Sequence, residues 1–200
     1  MKTRITLILL MFSTLISAQN INWDNFDERI MDTVMFNVMN NYVRSEKNGD
    51  SLMWSSVIQK EVMPRNYTYI MKHIGTPLDS LYLYHNTEWA NNRGNDIPKD
   101  IREKIIKENV NPIFLSNEEL KGFPGVYGLF EYSEILICIK GTQEGETYQN
   151  LAMYCIESWN KSPNHSMIMN ANYKNKVIVG VITLYDKKNS CMFISFVFVS

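Results

Sequence analysis

The chain has 200 residues, 45% of them hydrophobic, enough for one well-buried domain. Its formal net charge of −1 supplies no bulk attraction for nucleic acid or for an anionic membrane surface. The 12 methionines are read chiefly as gap-filling core residues, because a flexible thioether packs irregular space.

The N-terminus reads as a targeting segment. Lys2 and Arg4 form a positive region, residues 5–16 form an apolar run too short to span a bilayer, and Ser17-Ala18 offers a small-residue cleavage site. Residues 1–18 are therefore expected to be a signal peptide, with the mature chain beginning at Gln19. With no Cys at the cut and no later stretch of transmembrane length, the product is expected to be secreted or periplasmic, with no membrane span. Residues 19–200 are read as a single domain.

Asn25 and Glu28 have capping-box spacing. Ile30, Val34, Val38 and Tyr42, flanked by Met31, Met35 and Met39, follow at helical spacing, and the helix is expected to fade before Gly49. Leu52 and Trp54 open an apolar segment read as helix through Val57, Val62, Tyr69 and Met71, interrupted at Pro64 and stopped at Gly75-Thr76-Pro77. Residues 91–96 are turn-rich, and residues 101–110 form a helix with Ile101, Ile105 and Ile106 on one face. The run EILICIK from Glu134 is a β-branched strand. Thr142 is the expected cap of a helix carrying Tyr148, Leu151, Ala152, Cys155 and Trp159 on one face, with Glu144 and Glu146 in its first turn. Residues 176–185 and 191–199 are strands joined by a polar turn, both apolar on both faces, as in a sheet covered on two sides. The reading is an α+β fold, a three-layer α-β-α sandwich around a mostly antiparallel sheet.

Three cysteines allow at most one internal disulfide in an exported chain; all lie in apolar runs and are read as small buried hydrophobes. Ser162 is a natural helix N-cap and Pro163 fits the first helical position, which puts His165 on a pre-organised corner. His73, before Gly75, reads as a helix-end residue complementing the dipole. There is no H-E-x-x-H, G-x-S-x-G, P-loop or Rossmann fingerprint. A capping role for the Ser162 hydroxyl also disfavours a Ser162–His165 hydrolase.

The stretch WNKSPNHSMIMNANYKNKVIVGV from Trp159 resembles the W-x-x-S-P-G-H…N…Y…G-V-G-V segment of the CAP superfamily, the cysteine-rich secretory, antigen 5 and pathogenesis-related proteins. Asn164 replaces the family's Gly, and I-V-G-V replaces G-V-G-V. Upstream, Asn41 to Arg44, Gly49 and Leu52 to Trp54 resemble the family's N-x-x-R…G…L-x-W opening. The resemblance implies the same α-β-α sandwich over about residues 26–199. It also implies a cleft holding His85, Glu134 (from the family's G-E-N motif), His165 and, in the seat of a second Glu, Ser162. Two imidazoles and a carboxylate could hold zinc, with His85 and His165 as ligands, or could line a hydrogen-bonded polar pocket. The function implied is non-enzymatic binding of a small or extended ligand, a small molecule or a lipid-like one, in that cleft; the alternative is a metal-dependent hydrolase acting on peptide or envelope polymer.

Overall fold

The computed structural model describes residues 20–46, 52–72, 74, 98–109, 132–141, 145–169 and 177–199. After a short 3-10 turn at Trp23–Asn25 come α1 (Glu28–Glu46), β1 (Met53–Trp54) and a π-helical stretch, Ile58–Val62, that runs into α2 (Met63–Met71). Then follow α3 (Lys99–Asn109), β2 (Tyr132–Lys140), α4 (Tyr148–Lys161), α5 (Pro163–Met169), β3 (Ile178–Asp186) and β4 (Cys191–Val199). The four strands form one sheet in the order β1-β3-β4-β2. β4 pairs antiparallel with both β2 and β3 over nine residues each, and only the short β1 is parallel. Helices cover both faces, so the architecture is the expected α-β-α sandwich.

Strand alternation assigns side chains to the two faces. Ile135, Val179, Val181, Ile194, Phe196 and Phe198 face one core, which α1 and α4 cover with Met31, Met35, Met39, Leu151, Cys155 and Trp159. The other face splits into two apolar clusters. One joins Ile58, Val62, Met63, Ile101 and Ile105 to Ile178, Val197 and Val199; the second joins Ile70 to Leu136, Leu184, Cys191 and Phe193. The doubly apolar strands of the sequence are thus buried on both sides, with all nine residues of β4 buried.

Several local expectations are corrected. The cap of α1 is Asp27, whose Oδ1 accepts the N–H groups of Arg29 (3.0 Å) and Ile30 (3.3 Å), rather than an Asn25–Glu28 box. Glu28 instead accepts the N–H of Tyr185 at 2.8 Å. The deepest line of α1 is Met31-Met35-Met39-Val43, each 0% exposed, while Ile30, Val38 and Tyr42 are only partly buried. Met53–Trp54 is strand, not helix, because β3 offers a parallel partner and Met53 N–H bonds Val177 O at 2.9 Å. The cap of α4 is Thr147, whose hydroxyl accepts Asn150 N–H at 3.1 Å, so Glu146 lies ahead of the helix, its carbonyl accepting the N–H of Ile21 at 2.7 Å. Thr142, Glu144, His73, His85, Gly75 to Pro77, residues 91–96 and the expected signal peptide lie outside the described residues.

Pro64 accounts for the π-helical stretch. A proline near the start of α2 has no N–H for the carbonyl four residues back, and its ring crowds that turn. The preceding turn widens, and Met63 N–H bonds the Ile58 carbonyl, five residues back. The widened turn packs directly on Gly180. A Cβ there would sit 2.5 Å from Ile58 Cγ2 and 3.1 Å from Met63 Sδ, so this glycine of the I-V-G-V run permits close helix-to-sheet approach.

Candidate functional site

Glu134 sits in the edge strand β2, and its register partner is Val197 of β4. Its side chain therefore turns toward α2 and α3, into the face shared by Val197 and Leu136. It is 7% exposed. Ser195, the one hydroxyl in the apolar run of β4, donates to Glu134 Oε1 at 2.5 Å. Ser195 Oγ in turn accepts the Asn66 amide of α2 at 3.2 Å. Ser195 and Asn66 are 0% and 1% exposed.

These three side chains form a polar row between the two apolar clusters of this face. On β4, Ser195 lies between Phe193 and Val197; on α2, Asn66 lies between Met63 and Ile70. A carboxylate in such a place costs several kcal/mol unless hydrogen bonds offset it, roughly the scale for a desolvated ion in a protein interior. The Ser195 and Asn66 bonds offset part of that cost, and bonds linked in a row polarise one another.

Ser162 has an extended backbone (φ −85°, ψ 120°) between α4 and α5, and its carbonyl accepts Ser166 N–H at 2.7 Å. That is the first bond of α5, so Ser162 and Pro163 stand at the N-cap and first helical positions as their chemistry dictates. His165 is half-buried on α5. Met169, four residues on, is buried in the core beneath α1 and α4. Glu134 and the α5 layer thus pack on opposite faces of the sheet. His85 lies outside the described residues. Among the described residues, no three His, Cys, Asp or Glu side chains gather in a way that could hold a metal. Glu134 and His165 do not fit a shared zinc in this arrangement, and no chemical step is routed through one.

The family motif singles out Glu134 in the sequence, and nothing in that motif singles out its partners Ser195 and Asn66. The signal for Ser195 was present: a lone hydroxyl in CMFISFVFV is anomalous on a buried strand. Asn66, within a short polar helix segment, carried no comparable mark.

A second polar arrangement covers the open edge of β3 beyond the short β1. Gln59 Nε2 donates to the Val181 carbonyl at 2.7 Å, and its Oε1 accepts the Val181 N–H at 3.2 Å. Glu28 takes the Tyr185 N–H. Between them Asp32 of α1 lies beside Thr183, whose hydroxyl and N–H favour the ionised carboxylate. Burial outweighs them and pushes the Asp32 carboxyl up to about 7, with Glu28 and Asp27 adding repulsion. Asp32 Oδ1 and Thr183 Oγ1 are both buried, and neither meets a partner within strict hydrogen-bond geometry.

Glu108 of α3 closes the start of the π-helical segment, accepting from Ser55 Oγ (2.6 Å), Ser56 N–H (2.7 Å) and Val57 N–H (3.2 Å). Burial raises its carboxyl pKa, but these donors outweigh burial and hold it below the usual carboxylate value.

No family model matches the chain, and no curated protein matches it. Among solved structures, the chain is similar to an outer surface protein from Borrelia burgdorferi, at 12% identity and a TM-score of 0.46, over 92% of this chain and 98% of that one.

Proposed function

We propose that the chain is an exported, non-enzymatic binding protein of the CAP type, taking a small or extended ligand beside Glu134. The observation that supports this reading is the Glu134–Ser195–Asn66 row, buried within an otherwise apolar layer. Such a row is a poor stabiliser, since well-packed apolar residues commonly match or exceed buried charge. Its value lies in recognition, where a few fixed polar groups among apolar walls orient a ligand. His85 enters the reading through the resemblance alone, and Ser162 and His165 lie on the other face of the sheet from Glu134. Export rests on the N-terminal pattern. Among the described residues, no helix is long and apolar enough to cross a membrane.

Native mass spectrometry of protein isolated from its producing cells tests the proposal. Wild type is expected to carry a non-covalent organic adduct that Glu134→Gln loses while keeping its far-UV circular dichroism. An adduct equally present in both, or no adduct in either, contradicts the reading. Bound zinc in place of an organic molecule would make the cleft a metal site instead.

A further inference from the structure

We propose that Cys138 and Cys191 form a disulfide that staples the edge strand β2 to β4. The two residues lie on adjacent antiparallel strands. Cys138 is registered with Phe193, and Cys191 with Lys140, so they are diagonal neighbours on one face. Both belong to the apolar cluster around Ile70, Leu136, Leu184 and Phe193. Their sulfurs, thiols in this structure, stand 2.6 Å apart. That is far inside the roughly 3.5–4.0 Å at which even smaller carbon atoms rest without bonding. It is about half an ångström beyond a disulfide bond length of about 2.0 Å.

The pairing is unambiguous. The third cysteine, Cys155, is buried on α4 in the core of the opposite face, among Trp159 and Met35. The sheet separates it from the other two. Cys138 is only partly buried on the edge strand, so an external oxidant has one sulfur to reach, with Cys191 waiting beneath it. Either thiol can donate in the S–H···S contact between them, which pushes Cys138 above and Cys191 below the ordinary thiol range; at Cys191 burial and Asp186 oppose this and Lys140 assists it.

The oxidant is a disulfide, either a small molecule or the active-site disulfide of a thiol oxidoreductase. One cysteine sulfur attacks it, breaking its S–S bond and releasing one thiol in exchange for a mixed disulfide. The second cysteine sulfur then displaces the other oxidant thiol. Two cysteine protons and two electrons leave with the oxidant, which departs as two thiols. The bond formed is Sγ–Sγ between residues 53 apart in sequence, a span that encloses α4, α5 and β3. Constraint of so long a loop removes unfolded-state freedom. It also fixes an edge strand whose outer side has no β partner among the described residues. In the cell, the oxidising compartment required rests on the export reading.

The test uses the full chain in two preparations. Exported protein is trapped with an alkylating reagent at harvest, and separately purified, reduced protein is equilibrated with oxidised glutathione. After unfolding, each is expected to label at Cys155 only, to weigh two hydrogens less than the reduced form, and to yield a Cys138–Cys191 linked peptide. Oxidation is expected to raise Tm by roughly 5–15 °C, the usual effect of a long-loop disulfide in a domain of this size. Cys138→Ser should label at Cys155 and Cys191 and show no oxidation-dependent rise. Three labelled cysteines in the glutathione-treated sample, or a linkage through Cys155, would overturn the proposal. A bond formed with glutathione but missing from cell-derived protein upholds the pairing and removes the export reading.

Discussion

At the scale of single residues, Asp32 is a side chain whose environment departs far from its chemistry. Its carboxyl is raised to about 7, chiefly by burial under α1 against β3. The folded state therefore binds a proton that the unfolded chain gives up near pH 4. Stability attributable to Asp32 is full below that unfolded value and is lost as pH rises through about 7. Unfolding free energy from urea titrations is expected to fall by roughly 2–4 kcal/mol between pH 5 and pH 8, and Asp32→Asn should remove most of that slope. A wild-type profile as flat as that of Asp32→Asn would refute the assignment. None of this was legible in the sequence, because an aspartate four residues after Glu28 on a helix reads as ordinary solvated charge. The sequence could not say that β1 would be two residues long and leave Thr183 and Tyr185 on an open edge that α1 must cover. Glu134 was legible, but only through motif order. Its partners come from α2 and β4, and no local pattern joins residues 66, 134 and 195.

At the scale of elements, periodicity located the helices and strands, and local hydrogen bonding moved their ends. The face of Leu151, Ala152, Cys155 and Trp159 on α4 is buried as its spacing requires, and Ile101 and Ile105 do the same for α3. The caps were misassigned because several Asp, Asn and Thr residues lie within reach of each helix start, and only tertiary contacts choose among them. Asp27 is chosen over Asn25 where its own N–H meets Tyr148 Oη at 3.0 Å, with Phe26 packed against the same ring. The π-helical stretch is a case where a sequence signal, Pro64, was read as an interruption when its effect is to widen a turn. That widened turn needs Gly180. Gly180→Ala is expected to cost about 1–3 kcal/mol, the usual range for overpacking a tight core, because Ile58 Cγ2 must move. Denaturant unfolding checks it; a loss below about 0.5 kcal/mol, the range of surface substitutions, would mean that the π-helical stretch does not press on the sheet.

At the scale of the whole molecule, the α-β-α sandwich follows from strands apolar on both faces, which only helices on two sides can bury. What the pattern of apolar residues could not convey is the asymmetry of the two cores. The core beneath α1 and α4 is continuous and rich in Met and Phe, whereas the core beneath α2 and α3 is divided by the Glu134–Ser195–Asn66 row. A fold needing only stability would fill that row with Leu and Val. On the proposed reading, the divided core is the place where binding is expected. The most direct measurement is an amide-resolved NMR titration of the mature protein with a sterol, a phospholipid and a soluble envelope-polymer fragment, each in turn. At least one probe is expected to shift amides concentrated around Asn66, Glu134 and Ser195, with those shifts abolished in Glu134→Gln. Shifts confined to the opposite core, or no saturable shift with any of the three, would contradict the account.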